Sequence, residues 1–165
     1  MDNYILIGMP GAGKSTVGVL LAKSMLMDFC DTDLIIQNQC KKSLCDIIRT
    51  VGAQKFKDIE NSIIAGQTFH NCVVATGGSA VYGEDAMAKL QQDAAVVYLK
   101  VSVEELEKRI CNISTRGIAM KEGTTIAQLY AERAPLYEKY ADITVDCTRL
   151  TPEECVSAIM QHLQK

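Results

Sequence analysis

Eight residues near the start of the chain, Gly8-Met9-Pro10-Gly11-Ala12-Gly13-Lys14-Ser15, fill every fixed position of the pattern G-x-x-x-x-G-K-[ST]. An apolar run, Tyr4-Ile5-Leu6-Ile7, leads into them, and Val17, Leu20, Leu21 and Met25 follow at helical spacing. Strand, glycine turn and helix in that order make a phosphate cradle. The glycines let backbone N–H groups turn inward, and the helix adds the positive end of its dipole. Gly11, Ala12, Gly13, Lys14, Ser15 and Thr16 are therefore the candidate triphosphate-binding residues. Lys14 is placed to reach the β- and γ-phosphates, and Ser15 to offer a hydroxyl to Mg²⁺.

Short apolar runs alternate with amphipathic stretches along the rest of the chain. The pattern predicts strands over 4–7, 29–31, 72–75, 95–101 and 143–145. Helices are predicted over 14–26, 33–39, 44–50, 54–67, 84–91, 103–111, 125–140 and 152–163. Ser102 before Val103-Glu104-Glu105 and Thr151 before Pro152-Glu153-Glu154 carry N-cap chemistry. Such alternation indicates a parallel sheet covered on both faces, with ligands bound beyond the carboxyl ends of its strands. The polar, glycine-containing segment 112–123 suits a mobile lid, with a plain surface loop as the alternative.

The 165 residues are long enough for one domain spanning 1–165, and 48% hydrophobic with 22% charged residues describe an ordinary soluble globule. A net charge of −3 and the absence of tryptophan argue against a nucleic-acid binder. With no basic leader and no apolar stretch of membrane-spanning length, the expectation is a cytoplasmic protein without a membrane partner. The seven cysteines include no C-x-x-C pair, so they read mainly as small buried hydrophobes in a reducing compartment. His70 and His162 read as surface or helix-end residues.

Chemistry is sought after the strands. Asp31-Thr32-Asp33 follows the second; along an extended chain the two carboxylates share a side, able to serve Mg²⁺ and to accept a proton from a hydroxyl. The alternative makes Asp33 only the N-cap of the next helix. Thr76-Gly77-Gly78-Ser79 follows the third strand, where glycines let a ligand approach the backbone, or where the chain simply turns into a helix. Lys57, Arg116 and Arg133 are cations that can neutralise phosphate or substrate charge, or can be plain surface charges.

In this order, the motifs resemble the shikimate kinase family along essentially the whole chain: G-x-x-G-A-G-K-S at 8–15, D-[ST]-D at 31–33, F-[RK]-x-x-E at 56–60, T-G-G at 76–78, an arginine-centred lid, and E-R-x-P-L-Y at 132–137. The resemblance implies a three-layer α/β/α P-loop kinase with a five-stranded parallel sheet in the order 2-3-1-4-5 and a mobile lid. It implies ATP- and Mg²⁺-dependent transfer to the 3-hydroxyl of shikimate, toward chorismate and the aromatic amino acids, by a monomer. Carried over residue by residue, Lys14, Asp33 and Arg116 are catalytic, and Asp33 binds and helps deprotonate the acceptor hydroxyl. Lys57 and Arg133 clamp the substrate carboxylate, Glu60 buttresses Lys57, and Gly77 and Gly78 contact substrate. Ser15 and Asp31 serve Mg²⁺, while Arg109, Arg116 and Arg149 in the 146–152 loop lie by the nucleotide. The chain departs from the pattern at Lys57 (arginine in the family), at Ser79 (a third glycine) and at Gly117 (proline after the lid arginine). Lysine lacks the bidentate fork of arginine, and Ser79 adds a side chain beside the acceptor. Open alternatives are a related kinase for another small hydroxy acid or polyol, a nucleoside monophosphate kinase, and a non-catalytic nucleotide-binding module.

Overall fold

Three strands whose residues are almost all apolar and fully enclosed stand at the centre of the computed structural model, which describes residues 2–110 and 117–164. They are β1 (Asn3–Ile7), β3 (Cys72–Ala75) and β4 (Ala94–Lys100). Ile5, Leu6, Ile7, Val73, Val74, Val96 and Val97 are all 0% exposed, as expected of strands covered on both faces. The less buried β2 (Asp28–Asp31) and β5 (Ile143–Asp146) form the edges. All pairings are parallel and the strand order is β2-β3-β1-β4-β5, so the predicted topology holds.

The helices close both faces. α1 (Lys14–Met25) packs on β2 and β3 and against α8 (Pro152–Leu163), while α7 (Ile126–Tyr140) packs on β4 and against α6 (Val103–Arg109). The remaining helices are α2 (Thr32–Cys40), α3 (Leu44–Val51), α4 (Ala53–Ala65) and α5 (Glu84–Leu90). Both expected caps form: Ser102 accepts from the Glu105 N–H, and Thr151 builds a reciprocal capping box with Glu154. α7 runs on through Pro135, where a helix interior ordinarily breaks. Tertiary anchors on either side hold it, since Arg133 and Tyr137 are both buried and hydrogen-bonded to loops across the sheet edge.

A second, smaller core of Ile36, Leu44, Ile47, Phe56 and Ala119 ties α2, α3 and α4 together beside the main one. It fixes the helix that carries Lys57 and Glu60. Two expectations need correction. The extended chain stops at Asp31, so alternation does not extend to Asp33. Asp31 itself is the N-cap of α2, its carboxylate accepting from the Asp33 N–H at 2.9 Å. The chain after β3 enters a 3-10 turn (Ala80–Tyr82) before α5, an element that apolar periodicity did not reveal. Of the described cysteines, Cys72, Cys147 and Cys155 are buried as expected, whereas Cys30, Cys40 and Cys45 are half-buried.

Candidate active site

The loops at the carboxyl ends of β1, β2 and β3 converge on one cavity of about 680 Å³. Gly11, Gly13, Lys14, Ser15, Thr16, Asp33, Glu60, Gly77, Gly78, Arg109 and Arg133 all line it, with Ser79 and the segment 117–119. This is the crevice that a parallel α/β sheet offers a ligand.

Its floor is the loop between β1 and α1. Gly8 has a φ of +147°, and a side-chain carbon there would lie 2.7 Å from the Leu99 carbonyl oxygen, so only glycine fits. Gly13, at φ 91°, opens α1. Lys14 is 8% exposed, and its ammonium donates to the carbonyls of Gly8 at 2.7 Å and Met9 at 2.8 Å. Burial pulls its pKa down to about 8; Asp33 and Asp31 resist the fall, and Arg133 adds to it. Ser15 and Thr16 are exposed along the helix start, and Ala12 is buried beneath. The Ser15 hydroxyl donates to Asp31 Oδ2 at 2.7 Å, which sets two hard oxygen donors side by side. Mg²⁺ commonly takes one or two protein oxygens and completes its shell with water and phosphate, so this pair fits it. No larger cluster of metal-ligating side chains occurs among the described residues.

A second group of lining residues gathers on Gly77. A side-chain carbon there would lie 2.6 Å from Asp33 Oδ1 and 2.9 Å from Glu60 Oε2, so both carboxyls press on this α-carbon. Burial, and then the Asp31 carboxylate, push the Asp33 pKa up to about 6, with Lys14 opposing. Asp33 is thus mostly ionised near neutral pH yet basic enough to take a proton. Glu60 is 1% exposed; its Oε1 accepts from the Ser79 hydroxyl at 2.5 Å and its Oε2 has no partner. Burial raises its pKa to about 7, with the Asp33 charge adding to the rise and the Ser79 hydrogen bond opposing it. Ser79 thus lines the cavity with its hydroxyl committed to Glu60. The Thr32 hydroxyl, fully buried, accepts from the Gly77 N–H at 3.2 Å, and Tyr137 donates to the Gly78 carbonyl at 2.6 Å. Sequence reasoning missed these loop supports. Thr32 at the centre of D-T-D and Tyr137 at the end of E-R-x-P-L-Y were signals available for them.

Most of the expected site residues meet in this cavity. Arg133, 1% exposed, reaches it from α7, and Arg109 approaches from α6, donating to Glu105 Oε1 at 3.0 Å and to the Gly11 carbonyl at 3.3 Å. Lys57 does not itself line the cavity but stands within electrostatic reach of two residues that do, Arg133 and Glu60. Its ammonium sits 3.9 Å above the Tyr82 ring and lines a neighbouring cavity with Asp58, Asn61 and Glu132. Burial lowers its pKa, and the Arg133 charge lowers it further. Glu60 acts on Lys57 through its charge, while its hydrogen bond goes to Ser79. Arg149 is exposed in the turn between β5 and α8, apart from the cavity-lining residues. Arg116 and positions 112–115 of the expected lid lie outside the described residues, whereas Gly117, Ile118 and Ala119 line the cavity.

The family model for shikimate kinase matches residues 10–164. The chain is 34% identical over 168 residues to the shikimate kinase of Thermodesulfovibrio yellowstonii, covering 100% of this chain and 96% of that one. It is 36% identical over 165 residues to the shikimate kinase of Mycobacterium tuberculosis, covering 97% and 92% respectively. The solved structure of the Acinetobacter baumannii shikimate kinase in complex with shikimate superposes with a TM-score of 0.89 at 27% identity, over 99% of this chain and 93% of that one. With the cradle, the Asp33 site and the strand order already in place, the match along nearly the whole sequence settles the relationship: the chain belongs to the shikimate kinase family.

Proposed function

We propose that this chain transfers the γ-phosphate of ATP to the 3-hydroxyl of shikimate, a step toward the aromatic amino acids, and does so in the cytoplasm. The observation that carries the reading is a single cavity lined at once by Lys14, Asp33 and the buried Arg133. A phosphate-binding lysine, a carboxylate of raised pKa and an acceptor-side guanidinium are what a kinase for a hydroxy acid requires.

The roles follow from the chemistry of each group. The backbone N–H groups of residues 13–16 and the Lys14 ammonium hold the phosphates and offset charge that builds as the phosphoryl group leaves. Ser15 and Asp31 would hold Mg²⁺, which supplies charge neutralisation and aligns the phosphate oxygens when bound. Asp33 accepts the proton of the attacking hydroxyl. Arg133 receives the carboxylate of the acceptor, and Gly77 and Gly78 bring the backbone close to its ring. By resemblance, Arg116 neutralises the transferring phosphoryl, Arg109 and Arg149 flank the nucleotide, and 112–123 closes as a lid.

Purified protein with Mg-ATP, offered shikimate alongside other hydroxy acids, neutral polyols and nucleosides, tests this directly. ADP release that depends on shikimate is the expected result. Comparable turnover on a polyol lacking a carboxylate would refute the assigned acceptor and the role of Arg133.

A further inference from the structure

Tyr82 closes the 3-10 turn that follows the glycine loop, and it contacts both cations assigned to the acceptor side. Its hydroxyl donates to Glu132 Oε1 at 2.5 Å and accepts from Arg133 Nε at 3.3 Å. A phenol has one proton to give, so handing it to Glu132 leaves the oxygen lone pairs for the arginine. Arg133 Nη2 donates to the Ala119 carbonyl at 2.8 Å. The third nitrogen, Nη1, stands beside Gly78, only 2.8 Å from where a side-chain carbon on that glycine would lie. Two nitrogens are thereby anchored, the guanidinium also interacts with the Tyr137 hydroxyl, and Nη1 stands at the cavity-lining backbone.

The Tyr82 ring does separate work. It seats the Lys57 ammonium at 3.9 Å from its centroid, and the Arg133 guanidinium carbon lies 5.4 Å from the same point. A lysine has a flexible stem and no planar fork, so on its own it is poorly fixed for a carboxylate. An aromatic face within about 6 Å gives it a defined resting place.

We propose that Tyr82 is a positioning residue for acceptor recognition, its hydroxyl orienting Arg133 toward the acceptor carboxylate and its ring seating Lys57. The proposal rests on the shikimate reading above and specifies how this chain, with lysine at position 57, organises its acceptor pocket.

The test is steady-state kinetics with shikimate and ATP varied separately, on wild type, Tyr82→Phe, Tyr82→Ala and each combined with Lys57→Ala. Tyr82→Phe keeps the ring and loses the hydroxyl's hydrogen bonds to Glu132 and Arg133; with the arginine no longer oriented, the shikimate KM should rise about tenfold. The ATP KM and the Tm should hold, which separates positioning from general structural damage. Tyr82→Ala should raise the shikimate KM further. Lys57→Ala should add its own loss in the Phe background and almost none in the Ala background, because the ring that seats the lysine is already gone. An unchanged shikimate KM in Tyr82→Phe, equal losses for both substrates, or equal Lys57→Ala effects in both backgrounds would overturn the proposal while leaving the acceptor assignment intact. A wild-type protein inert on shikimate would overturn both.

Discussion

Replacing Glu60 with glutamine should remove a pH dependence from folding. Glu60 is 1% exposed, one carboxyl oxygen is engaged by Ser79 and the other has no partner, and its pKa is pushed up from 4.5 to about 7. A folded-state pKa above the unfolded one means that the native state binds this proton more tightly. The stabilisation is therefore complete below the unfolded value and is lost as pH rises through about 7. At about 1.4 kcal/mol per pKa unit the gap corresponds to roughly 3 kcal/mol, of which roughly 2.5 kcal/mol falls between about pH 5 and 8.5. Glutamine keeps the shape and an acceptor for Ser79 but cannot ionise. Urea unfolding of wild type and Glu60→Gln across that range should give stability curves that diverge by roughly 2–3 kcal/mol, with wild type losing ground as pH rises. Asp33, raised in the same sense, remains in both proteins and largely cancels in the difference. Curves that stay parallel within about 0.5 kcal/mol would refute the claim that burial holds a proton on Glu60.

The profile of kcat/KM for shikimate against pH should be bell-shaped, falling below about 6 as Asp33 takes up a proton and above about 8 as Lys14 loses its own. A flat profile over that range would contradict both assignments. Gly77→Ala places a methyl 2.6 Å from Asp33 Oδ1 and 2.9 Å from Glu60 Oε2. It should cost about 1–3 kcal/mol of stability by calorimetry and lower turnover with little change in the ATP KM. An alanine enzyme of wild-type activity would mean that these carboxyls move freely. Backbone amides over 117–123 should gain hydrogen-exchange protection when nucleotide and shikimate bind together. Protection already complete without ligands would argue against closure.

What was legible in the sequence was whatever chemistry confines to one backbone stretch. The cradle could be read from Gly8 to Ser15 because glycine, lysine and serine at fixed offsets satisfy a requirement that is itself local. The sheet order came from the family resemblance, and the fully apolar runs at 5–7 and 73–74 mark the strands that take the centre. Local pattern fails where a side chain chooses between partners on different elements. Lys57 was expected beside the acceptor, but the Tyr82 ring, 25 positions along the chain, holds it. Ser79 looked like an intrusion, yet it faces Glu60 because α4 packs a buried carboxyl against that loop. Asp31, not Asp33, caps α2, since the chain leaves extended geometry two residues sooner than strict alternation assumes.

The central claim is that Asp33 activates a shikimate hydroxyl toward a phosphate held by Lys14. Rapid-quench measurement of shikimate phosphate formation, with the product's phosphorylated position read by NMR, compares wild type with Asp33→Asn. Wild type should yield the 3-phosphate with kcat/KM above roughly 10⁴ M⁻¹s⁻¹. Asp33→Asn should lose about 10²–10⁴-fold in kcat while its ATP affinity stays within about threefold. Absence of transfer to shikimate by wild type, or near-wild-type turnover by Asp33→Asn, would contradict the account.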